Sequence, residues 1–339
     1  MGRRSWVGAG LGAALVGAVG VGLLVAPAGA AAAPVLPPVS PEDLVSSVIA
    51  ADAPPLGGEV EVDNALGLPA VPGVPQLANG TSAIRVWSGG DGRGRVALPS
   101  ADGERTLVSD GTTRWAYDSR DRTATRAPAG EGPDRAADTQ DPTTAATQAV
   151  ATLRQSSTVT VDGTAEVAGR AAYQLVLTPL PTERTLLREV RVAVDAETRL
   201  PLQLTVLAQG SGDPALQVGF SEIAYGPQDP ALFTFTPPPG TTVEDAPARD
   251  EARPEGERQG TTVGDGWDRV VIGQAPAPEE GQARPEGAPD LSTLGTPISG
   301  PWGTGRVITT AVATVIVTDD GRIAAGAVPQ QVLTEALAR

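Results

Sequence analysis

The 339 residues of this chain carry a net charge of −15 and include no Cys, His or Lys. The missing side chains are the usual zinc ligands, the commonest general base, the thiolate nucleophile and the Schiff-base amine. We therefore expect no catalytic residue, no metal and no cofactor. The acidic balance also argues against nucleic acid as a partner, because phosphates require a basic face.

The first 33 residues have the organisation of a secretory signal peptide. Arg3 and Arg4 precede an uncharged apolar run, Val7 to Ala26, and Ala28-Gly29-Ala30 follows as a small-x-small cleavage pattern. This predicts an exported protein with an extracytoplasmic location, in the cell envelope or secreted. The alternative is that the run stays uncleaved and retains the protein, because about 20 apolar residues can span a membrane.

A Pro-rich spacer, residues 34–40, precedes a predicted helix. Ser40 suits the N-cap, Pro41 the first helical position, and an apolar stripe follows up to Ala53. From there to about Pro237 the chain reads mainly as consecutive strands. Gly-rich and Asp-Gly turns between the early strands predict an antiparallel meander.

One loop and one helix interrupt these strands. Leu66 to Leu77 is apolar, with Pro at every third position, and is interpreted either as a lid or docking segment or as a crossover packed on the sheet. A second helix is predicted from Pro142. Strands then resume at Ser157 to Val161, at Ala165 to Val167 and beyond.

Two later strands alternate most clearly. In Arg188 to Asp195, Val190, Val192 and Val194 share one face, and in Pro201 to Leu207 every second residue is apolar. This pattern predicts strands with one buried and one exposed face. Leu202, Leu204 and Val206 are the apolar set of the second strand.

The composition changes after Gly240. Residues 241–290 contain twelve acidic residues and five Arg together with many Pro and Gly, which predicts a linker interrupted by one strand at 266–272. Arg306 to Thr318 and Arg322 to Val328 are predicted strands around an Asp319-Asp320-Gly321 turn. Pro329 opens a final helix.

Four segments together resemble the LolA-like superfamily, and the RseB/MucB sigma-factor regulatory proteins most of all. They follow one another in the order expected for that superfamily, and they are DGTTRWAYD (Asp110 to Asp118), VAVDAETRLPLQLTV (Val192 to Val206), FTFTPPPGTTV (Phe233 to Val243, resembling the closing strand) and RIAAGAVPQQVLTEAL (Arg322 to Leu337). The last of these resembles the end of the RseB/MucB group, which carries a second domain that the carriers lack.

The resemblance implies a mainly β (α+β) fold. Its larger domain would be an unclosed antiparallel β-barrel wrapped over helices, and a small C-terminal β-hairpin/helix domain would follow it. The implied organisation is a signal peptide (1–33), a spacer (34–40), the barrel domain (41–243), an acidic linker (244–261) and the small domain (262–339), with a disordered insertion near 273–290.

The resemblance also implies binding without catalysis. The expected partners are a lipid or lipidated protein in an apolar cleft and the extracytoplasmic part of an anti-sigma factor. A carrier of lipids or lipoproteins without a signalling role is one alternative, and a secreted enzyme that uses carboxylates is another. Each candidate cleft residue is also a candidate for ordinary core packing, and they are Trp87, Trp115, Tyr117, Val190, Val192, Val194, Leu202, Leu204 and Val206.

Overall fold

A computed structural model describes residues 34–68, 79–100, 102–129, 142–246, 260–274 and 295–339. The predicted signal peptide lies outside these residues. So do most of the Leu66–Leu77 loop, most of the acidic linker and most of the predicted insertion. Within the described part of the chain, no helix is both long enough and apolar enough to cross a membrane.

The fold is mainly β, as expected, with three helices in the part of the chain that the structure describes. The described strands belong to two sheets, in which most neighbouring strands are antiparallel. The helices are α1 (Pro41–Ala50), α2 (Pro142–Leu153) and α3 (Gln330–Leu337). Ser40 caps α1, because its hydroxyl accepts a hydrogen bond from the amide of Asp43.

The first sheet has twelve strands, in the order β12-β6-β5-β4-β3-β2-β1-β11-β10-β9-β8-β7. Its strands are β1 (Leu56–Asn64), β2 (Gly80–Ser88), β3 (Gly94–Ser100), β4 (Gly103–Ser109), β5 (Thr113–Asp118), β6 (Thr123–Pro128), β7 (Ser157–Val167), β8 (Arg170–Pro179), β9 (Leu187–Asp195), β10 (Pro201–Ala208), β11 (Pro214–Tyr225) and β12 (Thr242–Asp245). Neighbours from β1 to β6 and from β7 to β11 are consecutive, which confirms the predicted meander.

The second sheet has six strands, in the order β13-β14-β18-β17-β16-β15. Its strands are β13 (Thr261–Val263), β14 (Val270–Gln274), β15 (Thr296–Gly300), β16 (Gly303–Thr309), β17 (Thr314–Thr318) and β18 (Arg322–Gly326). Helix α3 packs on one face, where Leu333, Ile316 and Ala324 are fully buried. The Asp319-Asp320-Gly321 turn joins β17 to β18, as predicted.

The predicted closing strand, Phe233 to Val243, is wrong for most of its length. The chain forms a 3₁₀-helical turn at Pro230–Phe233, and only Thr242–Asp245 is a strand, which pairs parallel to β6. Pro237, Pro238 and Pro239 explain the difference. Proline has no backbone N–H, so three in succession cannot contribute to a hydrogen-bonded ladder.

Three smaller predictions also need correction. Arg306 to Thr318 is two strands rather than one, because a turn closed by a hydrogen bond from the Thr310 amide to the Ala313 carbonyl separates β16 from β17. The strands predicted at 157–161 and 165–167 are a single strand with a register shift between Val161 and Thr164. Trp267 lies in a 3₁₀-helical turn, and β14 begins only at Val270.

Helices α1 and α2 cover one end of the twelve-stranded sheet. Leu44 and Val150 from the two helices are fully buried, and they pack with Val159 of β7 and Leu175 of β8. The cluster extends to three half-buried or buried residues of β9, namely Val190, Val192 and Val194. The predicted alternation of β9 is therefore confirmed, with its apolar side under the helices.

Candidate ligand-binding face

The cross-strand register identifies which side chains share the face that carries α1 and α2. Side chains directly opposite each other in a ladder point to the same side, and alternate residues along a strand do so too. One row on this face crosses six strands, and it runs Leu175, Val192, Leu204, Val218, Val62 and Ser82. Because Leu175 and Val192 contact the helical cluster, we call this side of the sheet the helix-bearing face.

The same face continues along β1 into the other half of the sheet. Gly58, four residues before Val62, begins a second row, which runs Gly58, Val86, Val96, Leu107, Ala116 and Thr125. The two rows together make the helix-bearing face apolar over most of its width.

The helices leave much of this face uncovered. Leu107 on β4 is 41% exposed and Leu204 on β10 is 37% exposed, although both belong to these apolar rows. Large apolar side chains that stay exposed next to other apolar side chains commonly mark a binding surface. The exposed part of the helix-bearing face is therefore our candidate site.

A first hollow of about 410 Å³ lies over β2 to β6, and its size falls in the range of small-molecule sites. No carboxylate is among the residues that line it. Eleven of them belong to the helix-bearing face: Leu56, Val86, Ser88, Gly94, Val96, Leu107, Ser109, Arg114, Ala116, Thr125 and Ala127.

A second hollow of about 390 Å³ lies over β1, β9, β10 and β11. Val60, Val192, Leu204 and Val218 of the helix-bearing face line it, and again no carboxylate does. Both hollows thus offer apolar contact without an acid–base pair. In the described part of the chain, no group of three or more acidic side chains could hold a metal ion either.

The aromatic candidates belong to rows of the opposite face of the sheet, although Trp87 and Trp115 are also among the residues that line the first hollow. Trp87 and Trp115 belong to one row there, and Tyr117 follows two residues after Trp115. Phe235 covers both β5 residues, with its ring centroid 5.4 Å from that of Trp115 and 5.5 Å from that of Tyr117. The register therefore distributes the nine predicted cleft residues over both faces of the sheet. Trp115 and Tyr117 contact Phe235, which belongs to the segment predicted as a strand.

Leu202 also departs from its predicted stripe. The ladder between β9 and β10 shifts register between Pro201 and Gln203, so Leu202 is an extra residue on β10. Leu202 packs in a separate cluster with Ala172 and Ala193. Leu204 and Val206 keep the predicted face, opposite Val192 and Val190.

The turn between β9 and β10 is fixed by a buried carboxylate. Arg170 binds Asp195 in bidentate fashion, with Nε–Oδ2 at 2.7 Å and Nη2–Oδ1 at 3.0 Å. The amides of Glu197 and Thr198 donate to Oδ1 at 2.8 and 2.9 Å, and the Tyr225 hydroxyl donates to Oδ2 at 3.3 Å. This network positions the hairpin whose two strands carry Val192 and Leu204.

Two opposing effects set the pKa of Asp195. Burial raises this pKa. Hydrogen bonds from Arg170 and from the Thr198 and Glu197 amides lower it by more, so that the pKa is about 2. The carboxylate is therefore charged at neutral pH although its side chain is fully buried. Its role is structural, because every one of these partners belongs to the turn or to neighbouring strands.

Sequence reasoning missed much of the first hollow. The sequence places five of its residues within predicted strands and gives none of them a role in binding: Val86, Val96, Leu107, Arg114 and Ala116. Their alternation was visible, but the face to which it belongs depends on the pairing of β1 with both β2 and β11. No local pattern contains that information.

No protein-family model and no curated protein sequence matches this chain. Solved structures do match it. The complex of MucA and MucB from Pseudomonas aeruginosa covers 87% of this chain and 94% of its own, with 16% identity and a TM-score of 0.45. A second structure of MucB covers 88% of this chain and 95% of its own, with 19% identity and a TM-score of 0.41.

A LolA-superfamily protein from Nitrosomonas europaea also matches. It covers 58% of this chain and 99% of its own, with 12% identity and a TM-score of 0.25. The structural neighbours thus include the two groups that the sequence motifs resemble. Because the identities and TM-scores are low, any function for this chain has to rest on its own residues.

Proposed function

We propose that this chain is a non-enzymatic cell-envelope protein that binds the acyl chain of a lipid or lipidated protein on its helix-bearing face. The carrying observation is that Leu107 and Leu204 stay exposed on that face, within or beside apolar hollows. Burying an acyl chain there yields roughly 0.8 kcal/mol per methylene, so apolar contact alone can supply useful affinity.

The domain organisation expected from the sequence belongs to the same proposal. The twelve-stranded sheet, with α1 and α2 on one face, would form an unclosed barrel wrapped over helices and would constitute the ligand-binding domain, residues 41–243. The smaller domain, residues 262–339, would contribute to binding a regulatory protein. The proposed regulatory partner is the extracytoplasmic part of an anti-sigma factor, following the motif resemblance to the RseB/MucB group.

Filling the first hollow should weaken acyl-chain binding about tenfold. Ala116 is half-buried on the apolar row between Leu107 and Thr125, so Ala116→Trp places an indole where the chain would lie. Displacing two methylenes costs about 1.6 kcal/mol, slightly more than the roughly 1.4 kcal/mol of a tenfold change. Isothermal titration calorimetry with monopalmitoyl glycerol measures the change directly.

Val271→Trp is the matched control, because Val271 is 48% exposed on β14 of the other sheet. This variant should bind monopalmitoyl glycerol as the wild type does. Equal loss of binding in both variants, or no binding by the wild type, would contradict the proposed site.

A carrier without a signalling role remains the second candidate, since an open apolar face would serve it equally well. Two experiments distinguish the carrier from the regulator: one adds acceptor vesicles to the lipid-loaded protein, and the other adds the candidate protein partner. Lipid transfer between vesicles without any protein partner supports the carrier. Lipid-dependent binding of an anti-sigma factor fragment supports the regulator.

A further inference from the structure

The first hollow combines an apolar row with a polar row next to it on the same face. A row of small and polar side chains lies two residues along each strand from the apolar row of Val86, Val96, Leu107 and Ala116. It runs Ser88, Gly94, Ser109 and Arg114 across β2 to β5. Alternate residues along a strand are about 7 Å apart, so a headgroup on the polar row would lie directly beside an acyl chain on the apolar row.

Arg114 is the charged side chain on the helix-bearing side of this hollow. It is exposed, and its Nη2 donates one hydrogen bond, to the Pro128 carbonyl at 3.4 Å. It forms no ion pair within the described part of the chain. The hollow's other charged residue, Arg95, lies in the row of Trp87 and Trp115, on the opposite face.

The side chains next to Arg114 leave room for a headgroup. Ser109 lies directly opposite it, and Gly94 lies opposite Ser109. A Cβ built on Gly94 would meet nothing nearer than the Trp87 carbonyl at 3.5 Å. A guanidinium beside this open polar row can bind a phosphate or carboxylate through two parallel hydrogen bonds.

We propose that the first hollow binds an amphiphile with an anionic headgroup, its acyl chain on the row of Val86, Val96, Leu107 and Ala116 and its phosphate or carboxylate on Arg114. This inference rests on the function proposed above, because it names the class of lipid that the face takes. Charge complementarity supports it: the chain carries a net charge of −15, yet no carboxylate lines this hollow, and Arg114 is the charged residue on its helix-bearing side.

The test compares two lipids that share one acyl chain, palmitoyl lysophosphatidylglycerol, which is anionic, and monopalmitoyl glycerol, which is neutral. Arg114→Gln should weaken binding of the anionic lipid about fivefold and leave the neutral lipid unchanged. Arg114→Lys should restore part of the loss, since it keeps the charge without the bidentate geometry. Raising the ionic strength should weaken the binding of the anionic lipid and leave the binding of the neutral lipid unchanged.

Arg105→Gln is the matched control. Arg105 is exposed on the same face of β4, two residues before Leu107, and it does not line the hollow. The Arg105→Gln substitution removes the same charge as Arg114→Gln, and it should leave the binding of both lipids unchanged. Equal effects of the Arg105 and Arg114 variants would overturn the proposal, because the effect would then be one of net charge.

The remaining outcomes separate this inference from the proposed function. If wild type and Arg114→Gln bind both lipids equally well, the headgroup assignment is wrong while acyl binding stands. If the wild type binds neither lipid, the proposed function itself fails. Inorganic phosphate alone should not displace the anionic lipid at millimolar concentration, and displacement would show an anion site that is independent of the acyl chain.

Discussion

Replacing Asp195 by alanine should lower the free energy of unfolding by about 3 kcal/mol, because it leaves a partly buried guanidinium without its carboxylate. The side chain of Arg170 is only 26% exposed, so water cannot fully compensate for the lost ion pair. The amides of Glu197 and Thr198 lose their acceptor as well. Chemical denaturation followed by circular dichroism measures the difference.

Glu197→Gln provides the control for this variant. Glu197 also binds Arg170, at 2.9 Å, but its side chain is 80% exposed. Its replacement should cost below about 0.5 kcal/mol. Similar losses in the two variants would show that the buried geometry of Asp195 has no special weight.

The same carboxylate should make stability depend on pH in the acid range. Its pKa is about 2 in the folded protein against 3.8 for the unperturbed group, so the unfolded chain binds the proton more readily. The contribution is therefore complete above about pH 4 and is lost as the pH falls through 2; its full size is about 2 kcal/mol. Denaturation curves of Asp195→Asn should lack this part of the pH dependence, and an unchanged acid profile would contradict the assignment.

Replacing Trp267 by alanine should cost about 3 kcal/mol and loosen the contact between the two sheets. Trp267 lies just before β14 of the six-stranded sheet, yet its ring packs with the cluster under α1 and α2. Its Nε1 donates to the buried Ser157 hydroxyl at 2.6 Å, and its amide donates to Glu183 at 2.8 Å. The variant therefore loses packing and a partly buried hydrogen bond at the same position.

Hydrogen exchange locates the effect of this variant. The Leu186 amide donates to the Ala327 carbonyl across the same contact, so its exchange should accelerate, whereas amides within β3 to β5 should keep their protection. Trp267→Phe keeps most of the packing and should cost only about 1 kcal/mol. Unchanged exchange at Leu186 in the alanine variant would show that Trp267 does not hold the sheets together.

Local patterns predicted most of the strands and all three helices. Asp-Gly turns, the alternation in β9 and the Ser40-Pro41 start of α1 each depend on neighbouring residues, and local chemistry was sufficient for them. The strand that the motif resemblance predicts at Phe233 to Val243 is wrong for most of its length, because three consecutive prolines cannot donate to a ladder. A turn within 306–318 was missed because the stretch is apolar and rich in β-branched residues throughout.

The candidate site was harder to predict, because it depends on long-range pairing. Trp115 and Tyr117 were correctly placed on one strand face, but which face carries the helices is decided by strands more than fifty residues away. A one-residue bulge on β10 takes Leu202 out of the apolar face that it was predicted to share with Leu204 and Val206, and alternation along the sequence cannot reveal such a bulge. The sequence places Asp195 at a strand end, but the Arg170 that binds it lies on a different strand, β8, so the ion pair depends on strand pairing.

Native mass spectrometry of the full chain, isolated from its own cell envelope without detergent, tests the central claim most directly. We expect the wild type to carry a bound species with the mass of an acyl-chain lipid, and Ala116→Trp to carry much less of it. The lipid should be released on unfolding in acid and identified in the same experiment. A wild-type protein that is free of lipid and stays so after incubation with envelope lipids would contradict the account.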